Sequence, residues 1–221
     1  MEELPRDVLF TIALQLDFPD LLLFCKSIPR VNELICSKDY IWIAKLNNEF
    51  PNWKDFNINK PYIKIYETIS GLKILREKLG LNEKLIDMYN QTGLSLDIQN
   101  RTEIPKEIQY MENLESLDMN NNHIREIPKE IGKLVNLKGL YLDSNDIEII
   151  PKEIGNLVKL EEFNLSDNNI IEIPVEIRNL INLEGFWIHG NPLDQKTRKI
   201  LSSMTGGPNE LVISYSNFSD E

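Results

Sequence analysis

The second half of the chain repeats one pattern of hydrophobic and polar positions every 23 residues. Each copy starts with apolar residues that alternate with polar ones, which predicts a short strand with one buried face. An Ile-Pro pair and spaced apolar residues then predict a short outer helix that has the proline at its first position. The strand residues predicted to point inward are Leu117, Met119, Leu140, Leu142, Phe163, Leu165, Phe186 and Ile188. One repeat cannot bury its apolar side alone, so the copies should stack with their strands parallel.

An asparagine follows each predicted strand at the same place in the repeat. Its amide can bond to backbone groups of the neighbouring turns, which predicts a ladder of buried amides along the stack. These residues are Asn122, Asn145, Asn168 and Asn191. Residues 91–113 form an irregular first copy, with Gln99 at the asparagine position. Residues 191–204 predict an amphipathic helix that closes the other end of the core, followed by a tail.

The copies share the pattern LxxLxLxxNxIxxIP, which resembles the signature of leucine-rich repeats. Several registers that coincide over successive copies do not arise by chance. The resemblance implies an α/β solenoid of parallel strands with short outer helices. It also favours a binding surface over a reaction site.

Residues 4–46 show the apolar spacing of helices instead of strands. The first apolar stripe consists of Leu4, Val8, Leu9, Ile12 and Leu16. Two shorter stripes follow, and together they predict a small all-α module. A core of about 40–50 residues gives little stability alone, so we expect this module to dock on a partner or on the rest of the chain.

The same stretch resembles an F-box, in the style of F-box proteins from large DNA viruses of protists. The matching segments, in order along the chain, are Leu4-Pro5, Asp7-Val8-Leu9, Asp20-Leu21-Leu22 and Asp39-Tyr40-Ile41-Trp42. The chain departs from the cellular pattern at Val31, where tryptophan is usual, and at Ser27-Ile28, which replaces a Val-Cys pair.

The F-box resemblance implies docking on the Skp-type adaptor of an SCF ubiquitin ligase, and through it on the cullin, while the repeats recruit a substrate. The positions carried over as adaptor contacts are Leu4, Pro5, Val8, Leu9, Ile12, Leu21, Leu22 and Trp42. The alternative is a protein-binding scaffold that works without ubiquitin, in which residues 1–49 only cap the solenoid.

Four parts of the chain follow from these patterns. They are an F-box-like helical domain at 1–49, a helical linker and N-terminal cap at 50–90, the leucine-rich repeats at 91–193, and a C-terminal cap helix and tail at 194–221. The fold class is therefore an α/β leucine-rich-repeat solenoid preceded by a small all-α domain.

Charge and composition narrow the possible partners and compartments. The net charge is −11, and most of it lies in the repeats, which argues against nucleic acid as a partner. No apolar run is long enough to span a bilayer, and the first residues lack the basic and apolar regions of a secretory signal. We therefore expect an intracellular protein, cytoplasmic or nuclear and in a host cell if viral. Cys25 and Cys36 are accordingly expected as reduced core residues.

Few residues in the sequence indicate catalysis or metal binding. The two histidines, His123 and His189, have no cysteine or second histidine close in sequence, which argues against zinc. No glycine-rich phosphate loop or nucleophile–base arrangement appears. Asn/Asp runs in the turns have oxygens that could hold calcium, but such runs are more often structural in repeats. We expect no enzyme activity, no metal and no cofactor.

The outward face of the predicted strands, which the solenoid resemblance makes concave, is the candidate target site. Tyr141 and Trp187 lie two strands apart, about 10 Å, and exposed aromatic residues often anchor interfaces. Gly139 and Gly185 should leave their ring faces open. The residues predicted to contact a target are Asp97, Asp118, Tyr141, Asp143, Glu162, Asn164, Trp187 and His189. Their negative charge predicts a Lys- or Arg-containing segment, against the plainer alternative of a solvated sheet with two incidental aromatic residues.

Overall fold

The computed structural model describes residues 4–204 and 212–214. The chain divides into two compact units, Met1–Ile86 and Asp87–Glu221. The first unit is helical. The second contains a parallel sheet, as the repeat pattern predicts.

The helical unit is built from α-helices of three to 18 residues. The α-helices are α1 (Arg6–Gln15), α2 (Phe18–Ser27), α3 (Pro29–Val31), α4 (Asp39–Glu49), α5 (Tyr62–Leu79) and α6 (Leu85–Asn90), the last of which runs into the second unit. A π-helix at Asn32–Cys36 and a 3₁₀ helix at Trp53–Phe56 connect them. Helix α2 begins at Asp17, whose side chain accepts a hydrogen bond from the Asp20 backbone N–H and so caps the helix.

A buried lysine joins two of these helices. Lys45 on α4 is 1% exposed, and its Nζ donates to the backbone oxygens of Leu14 and Leu16 at the C-terminal end of α1. It also pairs with Glu49, which accepts a hydrogen bond from the Tyr66 hydroxyl at 2.7 Å. A cation at the carbonyl end of a helix satisfies groups that the helix leaves unpaired, so Lys45 fixes α1 against α4.

The expectation of reduced cysteines is wrong for this structure. Cys25 on α2 and Cys36 at the end of the π-helix form a disulfide, with Cα atoms 5.8 Å apart. The helical spacing of the sequence placed both residues in the core, and both are 6% exposed. It did not show that the π-helix turns Cys36 towards Cys25.

The second unit contains one six-stranded parallel sheet in sequential order. The strands are β1 (Gly93–Ser95), β2 (Ser116–Asp118), β3 (Gly139–Tyr141), β4 (Glu162–Asn164), β5 (Gly185–Trp187) and β6 (Val212–Ser214). Five of them are the predicted ones, and each pairs with the next at a shift of one repeat, as in Leu117↔Leu140. The sixth strand was not predicted. It comes from the segment interpreted as a tail and pairs with β5 outside the repeat register.

The outer turns are 3₁₀ helices, and their prolines lie just before them. These turns are Lys106–Tyr110, Lys129–Lys133, Lys152–Asn156 and Val175–Asn179. The expectation that proline occupies the first helical position is therefore wrong, because Pro128 is extended at φ −67°, ψ 144°. A 3₁₀ helix rises about 2.0 Å per residue, against about 1.5 Å for an α-helix, so fewer residues return the chain to the next strand.

The predicted core and the predicted asparagine ladder are both confirmed. The inward strand residues, from Leu117 to Ile188, are 0% exposed, and Ile127, Ile150 and Ile173 are buried opposite them. Asn145 donates to the backbone oxygens of Met119, Leu142 and Asp143 and accepts from the Ile124 N–H at 3.0 Å. Each ladder amide therefore joins two successive repeats.

The predicted C-terminal helix is present as α7 (Gln195–Met204) and covers the last repeat. Its buried residues are Thr197, Ile200 and Leu201. The Thr197 hydroxyl accepts from the Ile173 N–H at 3.1 Å and donates to the Ile171 oxygen at 3.2 Å. It thereby satisfies backbone groups that have no further repeat to bond to.

We predict that Asn145→Ala lowers the free energy of unfolding of the repeats by about 1–3 kcal/mol, because backbone groups of two repeats lose their buried partner. Urea denaturation monitored by circular dichroism measures the change. Asn169→Ala, at the exposed position directly after the ladder residue Asn168, is the matched control and should leave the midpoint almost unchanged. Equal midpoints for both variants would contradict the role given to the ladder.

Candidate functional site

The candidate site lies on the outward face of strands β3, β4 and β5. The parallel register places Tyr141, Asn164 and Trp187 in one row across the three strands. A depression of about 310 Å³ opens around this row and is called here the sheet depression. Its lining residues are Tyr141, Asp143, Glu162, Asn164, Ser166, Asp167, Trp187 and His189.

Six of the eight predicted target residues therefore meet in one place, and two do not. Asp118 is half-buried on β2, where its side chain accepts from the Asn120 backbone N–H at 3.1 Å. Asp97 follows β1, is exposed, and accepts from the Ser95 hydroxyl at 3.1 Å. Both belong to the same outward face but lie outside the depression.

The two aromatic rings lie over the glycines that precede them on their strands. A Cβ atom at Gly139 would come within 2.9 Å of the Tyr141 ring, and one at Gly185 would collide with the Trp187 ring. The expectation that the glycines leave the ring faces open is therefore wrong. Without a Cβ, each glycine lets the ring lean back along the strand and bury part of its apolar surface against the backbone. Both rings stay half-buried, with their remaining surface towards the depression.

Hydrogen bonds fix the polar side chains of the depression. The Tyr141 hydroxyl donates to Glu162 on the neighbouring strand. Asn164 Nδ2 donates to Asp143 Oδ1 at 3.0 Å, and Asn164 Oδ1 accepts from the Ser166 N–H at 3.1 Å. These bonds lock the middle of the depression in one arrangement before any ligand binds.

Three residues that shape this site were not among the predicted target contacts. Ser166 Oγ lies 3.1 Å from His189 Nδ1, and Ser214 Oγ from the unpredicted strand lies 3.5 Å from the same nitrogen. Asp167 lies in the turn after β4 at a positive φ of 53°. The sequence signal for that turn was the repeat column Asn121, Ser144, Asp167 and Gly190, because these residue types favour turns.

The depression carries negative charge that no nearby cation neutralises. Within residues 4–204 and 212–214, no basic side chain forms an ion pair with Asp143, Glu162 or Asp167. Lys138, which directly precedes β3, pairs with Glu115 at 2.9 Å. Burial, together with the charges of Asp118 and Asp167, raises the pKa of Asp143.

The predicted adaptor residues divide between surface and core. Val8 and Pro5 are exposed, while Leu4, Ile12 and Leu22 are half-buried. Leu9 and Leu21 are 0% exposed and Trp42 is 2% exposed, with its indole N–H donating to the Cys36 oxygen at 2.9 Å. The last three therefore cannot form an outer contact surface, because they make up the core that holds α1, α2 and α4 together.

The helical unit contains a second, larger depression that the sequence did not indicate. It has a volume of about 380 Å³ and its walls are mostly apolar. Phe50, Trp53, Phe56, Ile69 and Leu85 contribute the apolar lining, with Arg76 and Lys84 among the polar residues.

In residues 4–204 and 212–214, no group of three or more His, Cys, Asp or Glu side chains is arranged to hold a metal ion. No helix in this part of the chain combines the length and hydropathy needed to cross a bilayer.

Comparison with known proteins identifies the repeat part of the chain. Residues 84–207, more than half of the chain, match the family described as Leucine-rich repeat region. The chain belongs to the leucine-rich repeat family, and its parallel sheet with outer helical turns is the corresponding solenoid-like fold.

A solved structure supports the same fold over about half of the chain, and two further ones are similar at lower TM-scores. A leucine-rich repeat protein of Leptospira interrogans aligns with a TM-score of 0.51 and 33% identity, over 55% of this chain and 30% of that protein. A plant peptide hormone receptor solved in a complex aligns with a TM-score of 0.45 and 28% identity, over 55% of this chain and 19% of that protein. The BIR2 ectodomain from Arabidopsis thaliana aligns with a TM-score of 0.43 and 26% identity, over 52% of this chain and 61% of that protein. The chain spans less than two thirds of each, and no curated protein sequence matches it significantly.

We predict that the Tyr141 hydroxyl stays mostly protonated at about pH 11, where an ordinary tyrosine is ionised. Burial, the bond to Glu162 and the charges of Glu162 and Asp118 raise the pKa of Tyr141 to about 12. Glu162→Gln should lower this pKa, because it removes a negative charge next to the hydroxyl.

Carbon-13 NMR of labelled tyrosine rings, assigned with Tyr141→Phe, measures both values. Glu161→Gln removes a neighbouring exposed carboxylate and should have a smaller effect. A Tyr141 that titrates near pH 10 in the unmodified protein would show that the Glu162 contact is absent in solution.

Proposed function

We propose that this protein is the substrate-recognition subunit of an SCF-type ubiquitin ligase. In this proposal the helical unit docks on a Skp-type adaptor bound to a cullin, and the repeats bind a target protein. Membership of the leucine-rich repeat family supports the protein-binding half, because the fold presents side chains of one sheet face at fixed spacings. The F-box resemblance of residues 4–46 supports the adaptor half.

The observation that carries the adaptor half is exposed apolar surface at, and directly beside, the positions that the resemblance assigns to adaptor contact. Val8 on α1 is 38% exposed, and Leu23, next to Leu22 on α2, is 63% exposed. Large apolar side chains on the surface of a small helical module favour a partner that covers them. We therefore assign the contact surface to Leu4, Pro5, Val8, Ile12, Leu22 and Leu23. Leu9, Leu21 and Trp42 support it from beneath.

The target half rests on the outward face of the sheet. Tyr141 and Trp187 provide aromatic surface, and the carboxylates beside them provide charge, which together suit a segment that contains Lys or Arg. The protein acts in this proposal as a binding subunit without enzyme activity or cofactor of its own. Its place is inside the cell, in the cytoplasm or nucleus, and in a host cell if the chain is viral.

One observation favours the alternative of a scaffold that works without ubiquitin. The Cys25–Cys36 disulfide lies within the F-box-like stretch, and disulfides are rare in the reducing compartments where SCF ligases act. In the alternative, the helical unit is a stabilised cap and only the repeats bind a partner. Adaptor binding under reducing conditions distinguishes the two functions.

We predict that the purified chain binds a Skp-type adaptor at micromolar concentration with a thiol reductant present. Replacing Leu4 and Pro5 together by Ala, or Val8 by Asp, should weaken binding at least tenfold, because each change removes apolar contact area or adds an uncompensated charge. Isothermal titration calorimetry measures the affinity.

The matched control for the adaptor experiment is Val158→Asp. Val158 is a similarly exposed valine, at 44%, on the repeat unit, so its change should leave adaptor binding intact. Absence of binding by the unmodified chain, in both reducing and oxidising buffer, would contradict the ubiquitin-ligase function and leave the scaffold alternative.

We predict that Tyr141→Ala with Trp187→Ala weakens target binding by about 2 kcal/mol or more, because both anchors of the outward face are lost. Neither ring belongs to the inner core, so the repeats should unfold at a nearly unchanged urea concentration. A target first identified by cross-linking in cells supplies the binding assay. Unchanged affinity of the double variant, with Val135→Ala as a surface control, would move the target site away from the sheet.

A further inference from the structure

Three carboxylates, those of Asp143, Glu162 and Asp167, line the sheet depression. The central Asn164 amide donates to Asp143 and accepts from the Ser166 backbone, and His189 Nδ1 lies 3.1 Å from Ser166 Oγ. The carboxylate oxygens keep free acceptor positions, because each oxygen can accept two hydrogen bonds. A ligand that brings donors and positive charge therefore suits the depression.

The exposed Asp167 carboxylate lies at the edge of the depression, close to the Gly190 backbone. A Cβ atom at Gly190 would collide with Asp167 Oδ1 where that oxygen lies in the structure. Gly190 has a φ of 72° and Asp167 a φ of 53°, both in the left-handed region. The glycine therefore accommodates the turn and leaves room for the carboxylate beside it.

The negative charge of the three carboxylates in the depression is not neutralised by basic side chains among the described residues. Among the residues whose positions the structure describes, no base pairs with the three carboxylates, and Lys138 is occupied by Glu115. Burial and the charges of Asp118 and Asp167 raise the pKa of Asp143, so a bound cation would relieve a repulsion that already exists.

The shape of the depression distinguishes between cationic side chains. Its volume of about 310 Å³ is at the lower limit of ligand pockets and suits one inserted side chain. The half-exposed Trp187 ring provides one flat wall, while Asp143 and Asp167 come from the ends of neighbouring strands. A guanidinium group is planar, stacks on an indole, and donates along its edges to two carboxylates, whereas an ammonium group is a strongly hydrated point charge.

We propose that the sheet depression is a recognition site for a single arginine side chain of the target. The guanidinium lies against Trp187 and donates to Asp143 and Asp167, while Glu162 adds charge from the other side of Asn164. This inference rests on the proposed protein-binding role of the outward face and names the chemistry that the face selects.

The test uses the full chain and a capped Gly-Gly-Arg-Gly-Gly peptide as the probe, followed by nitrogen-15 NMR. Addition of the peptide should shift the Trp187 indole and the Asn164 side-chain amide with saturation at millimolar concentration. The same peptide with citrulline, which keeps the shape and removes the charge, should bind at least tenfold more weakly. The lysine peptide should bind several-fold more weakly than the arginine peptide.

Two variants with the same change in net charge locate the effect. Asp143→Asn with Asp167→Asn should weaken arginine-peptide binding at least tenfold. Glu130→Gln with Glu148→Gln removes two carboxylates that do not line the depression and should leave binding within twofold. Equal loss in both variants would mean that overall charge, and not the depression, attracts the peptide, and would overturn the proposal.

Two other outcomes would also overturn it. One is the absence of shifts at the depression with about 10 mM arginine peptide, which corresponds to no useful affinity. The other is equal binding of the arginine and citrulline peptides. A lysine peptide that binds as tightly as the arginine peptide would overturn the assignment to arginine.

The peptide experiment is independent of the adaptor, so the two proposals can fail separately. Val8→Asp should bind the arginine peptide normally even though it loses the adaptor. If the peptide binds as expected while Tyr141→Ala with Trp187→Ala leaves target binding intact, the target surface in the proposed function is wrong. If the peptide does not bind while Tyr141→Ala with Trp187→Ala loses target binding, the arginine site is wrong and the receptor function stands.

Discussion

The buried asparagine between successive repeats is the interaction on which the second unit depends. The strands are only three residues long, so sheet hydrogen bonds alone leave many backbone groups of the turns without partners. Each ladder amide satisfies several of them at once and spans two repeats, as Asn145 does between Met119 and Leu142. Without these bonds, the buried turns would contain unsatisfied donors and acceptors, and the apolar columns could not stay closed.

This constraint also determines what the outward face can present. Because the ladder and the core columns fix the register at one repeat per strand, residues at equal repeat positions become neighbours in space. Tyr141, Asn164 and Trp187 meet for that reason and not because they are close in sequence. A repeat protein can thus change the chemistry of its face one strand at a time, and here β3 to β5 combine two rings with several carboxylates.

The periodicity of the sequence correctly predicted the structural features that recur from repeat to repeat. The inward columns, the ladder, five of the six strands and the closing helix follow from spacing, since burial requires equivalent residues to repeat. Features without a period were missed. Strand β6 comes from a segment without repeat residues, and the Cys25–Cys36 bond depends on how a π-helix packs against α2.

The two candidate sites were also predicted only in part from the sequence. The pattern placed the outward residues in the correct columns, but it could not show that the Tyr141 and Trp187 rings lean over their glycines. The F-box resemblance grouped Leu9, Leu21 and Trp42 with the contact surface of the F-box-like stretch, although they form its core. A helical stripe identifies an apolar side, whereas only packing decides which of its residues a neighbouring helix covers.

We propose that the two units have separate partners, an adaptor for the helical unit and a target for the repeats. Hydrogen exchange of the backbone amides, measured with and without a Skp-type adaptor, tests this proposal most directly. We predict slower exchange in helices α1 and α2 when the adaptor binds, with unchanged exchange in strands β3 to β5. Protection confined to the repeats, or no protection anywhere at saturating adaptor, would contradict it.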